Sequence, residues 1–271
     1  DRDVITRSNR IINGGKDDVR LQSVLSGAVE LPECDYDFVH FSGSWARERH
    51  VEKNPLMRGN QYVDSLRGAS SHMHNPFVCL ASKAATETSG NVYAMNLVYS
   101  GNFISGAYVD TYDRTRFYTG INPFDFEWKL EPGESFQTPE CVFVYSDGGF
   151  DKMSQTMHSL VRERVCRGKY RDVERPVLLN NWEATYFDFT EEKIVDIAKK
   201  AAEVGVELFV LDDGWFGERN NDKSSLGDWF ANKEKLPSGI DGLAKKVNDL
   251  GLKFGLWFEP EMISEKSKLY E

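Results

Sequence analysis

The 271-residue sequence has no run of 18 consecutive apolar residues, so no stretch of it reads as a membrane-spanning helix. It also has no G-x-G-x-x-G turn and no Walker-type loop, the glycine-rich cradles that let a backbone approach phosphates. A dinucleotide-binding fold is therefore disfavoured. Cysteine is scarce: Cys34, Cys79, Cys141 and Cys166 show no C-x-x-C spacing, so redox motifs and thiolate metal clusters have no foothold and buried reduced thiols are expected. Positive charge is in short supply as well, with 33 Lys and Arg against 43 Asp and Glu and a net charge of −10. That balance speaks against nucleic acid and anionic membrane surfaces as partners. The acids are scattered, which is the pattern of a solvated surface. No internal repeat or low-complexity tract is present, and a cytoplasmic location is the default expectation.

What the sequence does contain is LFVLDDGWFG at 208–217, an apolar run that ends abruptly in two acids. Leu208–Leu211 reads as a strand buried on both faces, the habit of a parallel sheet. Asp212 and Asp213 then stand at its C-terminal end, where α/β sheets place their ligand chemistry. Gly214 permits a sharp turn, and Trp215 and Phe216 offer flat apolar surfaces beside the carboxylates. Acids beside aromatic faces suit a ligand with many hydroxyls and an apolar ring face, which describes a sugar. An isolated D-D-G is more often a turn or a helix cap; here the pattern recurs.

Upstream, Val177–Leu179 ends in Asn180, Asn181, Trp182 and Glu183; downstream, Lys253–Leu256 ends in Trp257, Phe258, Glu259, Pro260 and Glu261. Between the first two lies TEEKIVDIAKKAAEVG, with Ile194, Ile197, Ala198, Ala201 and Ala202 on one helical face, Thr190 as N-cap and Gly205 as stop. SGIDGLAKKVNDLG precedes the third strand with Ile240, Leu243, Val247 and Leu250 apolar. Residues 176–262 thus read β-α-β-loop-α-β, with a Trp and an acid near every strand end. Convergence of such groups from successive strands favours a (β/α)8 barrel over a doubly wound sheet. A full barrel needs roughly 250 residues, so residues 176–271 are expected to be only its N-terminal part. SEKSKLYE at the C-terminal end reads as a helix beginning, and the sequence is expected to be an internal fragment.

Residues 1–148 differ in kind. Runs such as Arg20–Leu31, Tyr36–Phe41, Asn91–Tyr99, Gly106–Tyr112, Phe124–Leu130 and Glu140–Tyr145 alternate with Gly- and Pro-bearing turns and predict antiparallel strands of a sandwich domain. From Gly149 to Cys166 the period turns helical, with Met153, Met157, Leu160, Val161 and Val165 on one side, and RGKYRDVERP follows as a linker, so that 149–175 is read as helix and linker. His72 and His74 read as sharing one strand face, but no third ligand lies at a suggestive spacing for a metal. S-G-S-W-A-R-E-R-H at 42–50 reads as a loop reaching toward another domain or as interface packing.

NNWEATYFDFTEEKI, LFVLDDGWFGERNND with its downstream LGDWF, and FGLWFEPEMIS closely resemble the α-galactosidases of glycoside hydrolase family thirty-six, bacterial type, and HFSGSWARERH and SLRGASSHMHNPF look like that family's N-terminal β-domain. The resemblance implies an N-terminal β-supersandwich followed here by the first three β/α units of a truncated barrel. It implies a retaining glycosidase that releases terminal α-linked galactose from melibiose, raffinose and related oligosaccharides, without metal or other cofactor, and a homo-oligomer for the full-length protein. By the same likeness Asp212 and Asp213 match the pair that binds galactose hydroxyls. Trp182 and Trp257 match aromatics lining the galactose subsite, and Trp45 matches a contact from the N-terminal domain. A retaining glycosidase needs two carboxyl groups about 5–5.5 Å apart. The family's nucleophile lies in a Lys-Trp-Asp motif that this sequence lacks, so the nucleophile and acid/base are expected beyond Glu271 and the chain itself is expected to be inactive. Two alternatives stay open: a metal-dependent barrel enzyme using Asp213, Glu259 and Glu261 as Mg²⁺ ligands, and a non-catalytic sugar-binding module.

Overall fold

The computed structural model describes residues 3–270, in two compact units, Asp1–Arg167 and Gly168–Glu271. The first unit opens with β1 (Val4–Arg7), β2 (Arg10–Ile12), β3 (Val19–Leu21), β4 (Leu25–Leu31), β5 (Tyr36–Ser44), β6 (Arg47–Pro55) and β7 (Gly59–Asp64). It continues with β8 (His74–Ser82), β9 (Val92–Val98), β10 (Phe103–Val109), β11 (Thr115–Ile121), β12 (Trp128–Leu130), β13 (Ser135–Gln137), β14 (Glu140–Ser146) and α1 (Gly149–Leu160). A six-stranded antiparallel sheet, β1-β14-β9-β8-β5-β6, lies against a four-stranded one, β4-β11-β10-β7. Two small ribbons, β12-β3 and β13-β2, complete the sandwich.

The period of two in these strands decides what each face buries. In β8, Val78 and Leu80 enter the core between the sheets, while Cys79 and Ala81 point the other way. In β9, Met95 and Leu97 join the first core and Val92 and Ala94 the second. Phe103 and Phe117, both fully buried, anchor the inter-sheet core from the smaller sheet. The second core is closed by α1, whose Met153, Met157 and Leu160 sit at helical spacing on one face. The middle strands are therefore covered on both sides, and the compact unit takes α1 with it.

The second unit holds β15 (Leu178–Asn180), α2 (Trp182–Thr185), α3 (Glu191–Glu203), β16 (Leu208–Leu211), α4 (Gly239–Asp249) and β17 (Lys253–Leu256). The three strands are parallel, in the order β15-β16-β17. Thr190 caps α3 by accepting from the Lys193 amide at 3.3 Å. Ile194, Ala198 and Ala201 of α3 and Leu243 and Val247 of α4 pack on Phe209 and Leu211 of the central strand.

Several local expectations are corrected. The run Arg20–Leu31 is two strands, since residues 22–24 leave the ladder and β3 and β4 pair in different sheets. Phe124–Leu130 is strand only over Trp128–Leu130, because a turn closed by the Phe126 amide on the Pro123 carbonyl occupies its start. Residues 42–50 form a hairpin between β5 and β6 rather than a loop, with Ala46 at φ 59° in its turn. His72 precedes β8 in a bend and only His74 is in the strand, so the two do not share a strand face. The helical period at 149–166 is α-helix only to Leu160, followed by a π-helical turn over Val161–Val165. Residues 265–270 are turns, not a helix: the Ser264 and Lys268 amides are taken by the Leu226 carbonyl and the Asp228 carboxylate. Only Cys79 and Cys141 are buried, Cys34 is half-buried and Cys166 exposed, and all four are free.

Candidate functional site

The C-terminal ends of β15, β16 and β17 lie side by side, and their polar groups knit the ends together. At the end of β15, Asn181 is fully buried; its side-chain oxygen accepts the Asp212 amide at 2.8 Å and its amide nitrogen donates to Thr185 Oγ1 at 2.8 Å. Asn180 Oδ1 accepts the Trp182 amide at 2.7 Å, and its Nδ2 donates to Asp212 Oδ2. At the end of β17, the Trp257 amide donates to the Leu211 carbonyl at 2.9 Å, and its carbonyl accepts Trp215 Nε1 at 3.0 Å. Each strand end is thus pinned to its neighbour by a side chain of the very segment that carries a candidate sugar contact.

The two adjacent acids have diverged. Asp212 is half-buried; its Oδ1 accepts the Asp213 amide at 2.7 Å and Oδ2 accepts Asn180. Asp213 is 6% exposed and forms a fork with Arg219, Nε to Oδ1 at 3.0 Å and Nη2 to Oδ2 at 2.8 Å, while Oδ1 also accepts the Gly214 amide at 2.7 Å. A carboxylate offers about four acceptor positions. Asp212 therefore keeps one free position on each oxygen, whereas both oxygens of Asp213 are engaged twice, since Arg219 Nε also reaches Oδ2, at 3.2 Å. Gly214 turns the chain at φ +94°, and a Cβ there would meet the Phe187 and Phe189 rings at 3.2 and 3.3 Å, so both the dihedral and the crowding call for glycine.

The aromatic residues divide into two groups. Trp182 is half-buried, held edge-on by Tyr186 and Phe187 with ring centroids 5.2 and 5.0 Å away, and Trp257 is half-buried at the end of β17. Trp215 and Phe216, by contrast, are buried and packed against each other, Trp229 and Phe258. They are core, not the platforms expected beside the acids, because the long loop after β16 folds back over them. Trp45 belongs to the first unit, in the β5–β6 hairpin turn, with 83% of its surface exposed.

Glu259 is half-buried after β17, its carboxyl pushed up by burial first and then by the Glu261 charge, with Arg219 opposing and Asp213 adding. Asp213, Glu259 and Glu261 do not assemble as a metal-ligand set: a guanidinium already occupies the face of Asp213 where a cation would sit. Among the described residues no group of three or more His, Cys, Asp and Glu is placed to hold a metal ion. A groove of about 680 Å³ between α3 and α4 is lined in part by charges that are already partnered, Glu191 by Lys246 and Asp196 by Lys199.

Reading the sequence missed Asn181, Arg219, Phe187 and Lys235. The Lys235 ammonium donates to the carbonyls of Phe187 (2.8 Å), Gly214 (3.0 Å) and Arg219 (3.1 Å), tying the loop after β15 to the loop after β16. Burial lowers its pKa, with the nearby Asp213 charge opposing. Its only sequence signal was a lysine in an otherwise turn-rich loop.

Known proteins share the sequence and fold of this chain. The family model described as Glycosyl hydrolase family 36 N-terminal domain matches residues 1–131, and the Melibiase model matches residues 135–271. The chain is 60% identical to Alpha-galactosidase AgaA of Geobacillus stearothermophilus, over 98% of this chain and 37% of that protein. It is 48% identical to Alpha-galactosidase Mel36A of Lactobacillus acidophilus, over 100% of this chain and 37% of that protein. A crystal structure of an AgaA variant in complex with 1-deoxygalactonojirimycin superposes with a TM-score of 0.92 at 59% identity, covering 99% of this chain and 38% of that one. The chain spans about 37% of the length of the curated relatives it matches. It belongs to the melibiase family, the α-galactosidases of glycoside hydrolase family 36.

Proposed function

We propose that this chain supplies part of the galactose subsite of a retaining α-galactosidase that releases terminal α-linked galactose from oligosaccharides such as melibiose and raffinose. The observation that carries the reading is the half-exposed Asp212, its carboxylate fixed by Asn180 and the Asp213 amide and its own amide held by Asn181, standing on a strand end flanked by those of Trp182 and Trp257. Asp212 offers two free acceptor positions, and Asp213 offers Oδ2 where Arg219 Nε shares it at the longer 3.2 Å, which suits adjacent hydroxyls, each charge-assisted bond being worth on the order of 1.5–3 kcal/mol. Trp182 and Trp257 provide the apolar ring faces, and Trp45 is proposed as a further contact on the family resemblance alone. AgaA has been solved in complex with raffinose and with stachyose, which supports galactose-bearing oligosaccharides as the ligand class.

In this reading β15-α3-β16-α4-β17 forms the first three units of a (β/α)8 barrel, the full-length protein is a homo-oligomer, and its location is cytoplasmic. Asp212 and Asp213 bind, and do not displace. Adjacent residues leaving a strand point apart, and the Arg219 fork leaves Asp213 no freedom to attack. The nucleophile and acid/base are other residues of the complete enzyme. Titrating the chain with D-galactose and its C4 epimer D-glucose, followed by tryptophan fluorescence, tests the reading. Galactose should bind at least about tenfold tighter than glucose, and Asp212→Asn should weaken galactose binding about 10- to 150-fold, since one charge-assisted bond is worth that much. Equal responses to the two sugars, or a galactose affinity unchanged in Asp212→Asn, would contradict it.

A further inference from the structure

One buried side chain joins the two halves of the site. Arg219, in the loop after β16, has a side chain only 4% exposed. Its Nε and Nη2 grip Asp213, and its Nη1 donates to the Ser224 carbonyl at 2.9 Å. The guanidinium lies over the Phe187 ring at 5.7 Å and the Phe216 ring at 5.8 Å. Phe187 in turn stands edge-on against Trp182 at 5.0 Å. A continuous chain of contacts therefore runs from Asp213 through Arg219 and Phe187 to Trp182. Lys235 closes it from below, holding the carbonyls of Phe187 and Arg219 on one ammonium.

We propose that Arg219 is a positioning residue for the sugar site, a buried fork that sets the carboxylate plane of Asp213 and, through Phe187, the ring of Trp182. It touches no sugar itself. A lysine in its place keeps the charge but not the bidentate geometry or the planar face that rests on aromatic rings. Arg219→Lys should therefore fold and still misplace both contacts. Removing the charge altogether is a poorer test, because an unpaired buried Asp213 destabilises the loop by itself. The role in sugar binding rests on the function proposed above, whereas the positioning does not.

The experiment follows the indole N–H resonance of Trp182, assigned with Trp182→Phe, and the side-chain carboxyl ¹³C resonance of Asp213 in the 271-residue chain, without sugar and with D-galactose. Without sugar, Arg219→Lys should move both resonances. Phe187→Leu should move only that of Trp182, because it cuts the contact chain above the fork. With sugar, Arg219→Lys should weaken galactose binding about tenfold or more, and in an Asp213→Asn background it should add much less, since it acts through that residue. A wild-type chain that ignores galactose would sink the sugar reading, while the two sugar-free resonances would still decide the positioning. Unmoved resonances in Arg219→Lys, loss of its cooperative folding, or full additivity with Asp213→Asn would overturn the proposal.

Discussion

The two units use polar groups in opposite ways. In the first, the two cores are apolar and the buried polar side chains are dispersed along strands and turns, answered locally as Ser105 is by Thr119 at 2.6 Å and Asp37 by Lys83 at 2.6 Å. In the second, one end of a three-stranded sheet gathers Asn181, Asp213, Arg219, Asp228 and Asn232, all buried, with Lys235 half-buried beside them. Burying polar and charged groups is costly unless each is partnered, so their concentration at the strand ends marks where geometry has been bought at the expense of stability. The sandwich is a packing problem solved by alternation. The strand ends are a positioning problem solved by hydrogen bonds.

The largest effect should come from the packing side. Phe117→Ala removes a fully buried ring from the inter-sheet core and should cost about 3–5 kcal/mol in denaturant unfolding, while the indole resonances of Trp182 and Trp257 in the folded fraction stay in place. A shift of those resonances would break the division of labour between the units.

Alkaline pH should sharpen the same contrast. In the first unit burial pushes the Cys141 thiol up to about 12, Cys79 higher still, and Tyr36 up to about 12. A raised folded-state pKa gives stability that is complete below the unfolded value, near 9 for a thiol and 10 for a tyrosine, and is lost as pH rises toward the folded one. Cys141 alone should cost on the order of 2–3 kcal/mol by pH 11. Hydrogen exchange should then show amides of β8 and β14 opening before those of β16, whose following loop carries Lys235 with the opposite, lowered shift. Simultaneous opening would contradict the assignment.

A smaller effect is expected at the cap of α3. Thr190→Ala removes the acceptor for the Lys193 amide and should cost about 0.5–2 kcal/mol, with no change in galactose response, because the cap bond involves neither strand-end acid nor either tryptophan.

Much of this organisation was legible in the residues. Leu208–Leu211 and Lys253–Leu256 were placed to the residue, since a short apolar run closed by Gly or acid leaves little room for error. The helical face of α3 followed from Ile194, Ala198 and Ala201. Strand β6 escaped notice because RERHVEKNP is exposed throughout and shows no alternation; it is specified by its partner β5. Arg219 escaped for a different reason: nothing local distinguishes a buried guanidinium from a solvated one, and its partners Asp213 and Phe187 are chosen by the tertiary fold. Trp215 and Phe216 looked like ligand platforms and are core, because the return of the loop through Trp229 cannot be read from spacing.

The central claim is that the strand-end acids bind the sugar and do not attack it. It is tested most directly by the kinetics of Asp213→Ala in the full-length enzyme with added azide. One lost charge-assisted bond, with the Arg219 fork left unpaired beside it, should lower kcat/KM by at least about 10- to 150-fold, with a smaller loss for substrates lacking the contacted hydroxyl and no recovery with azide. Loss of many more orders of magnitude, alike for every substrate and partly restored by azide, would make Asp213 the nucleophile and contradict the account.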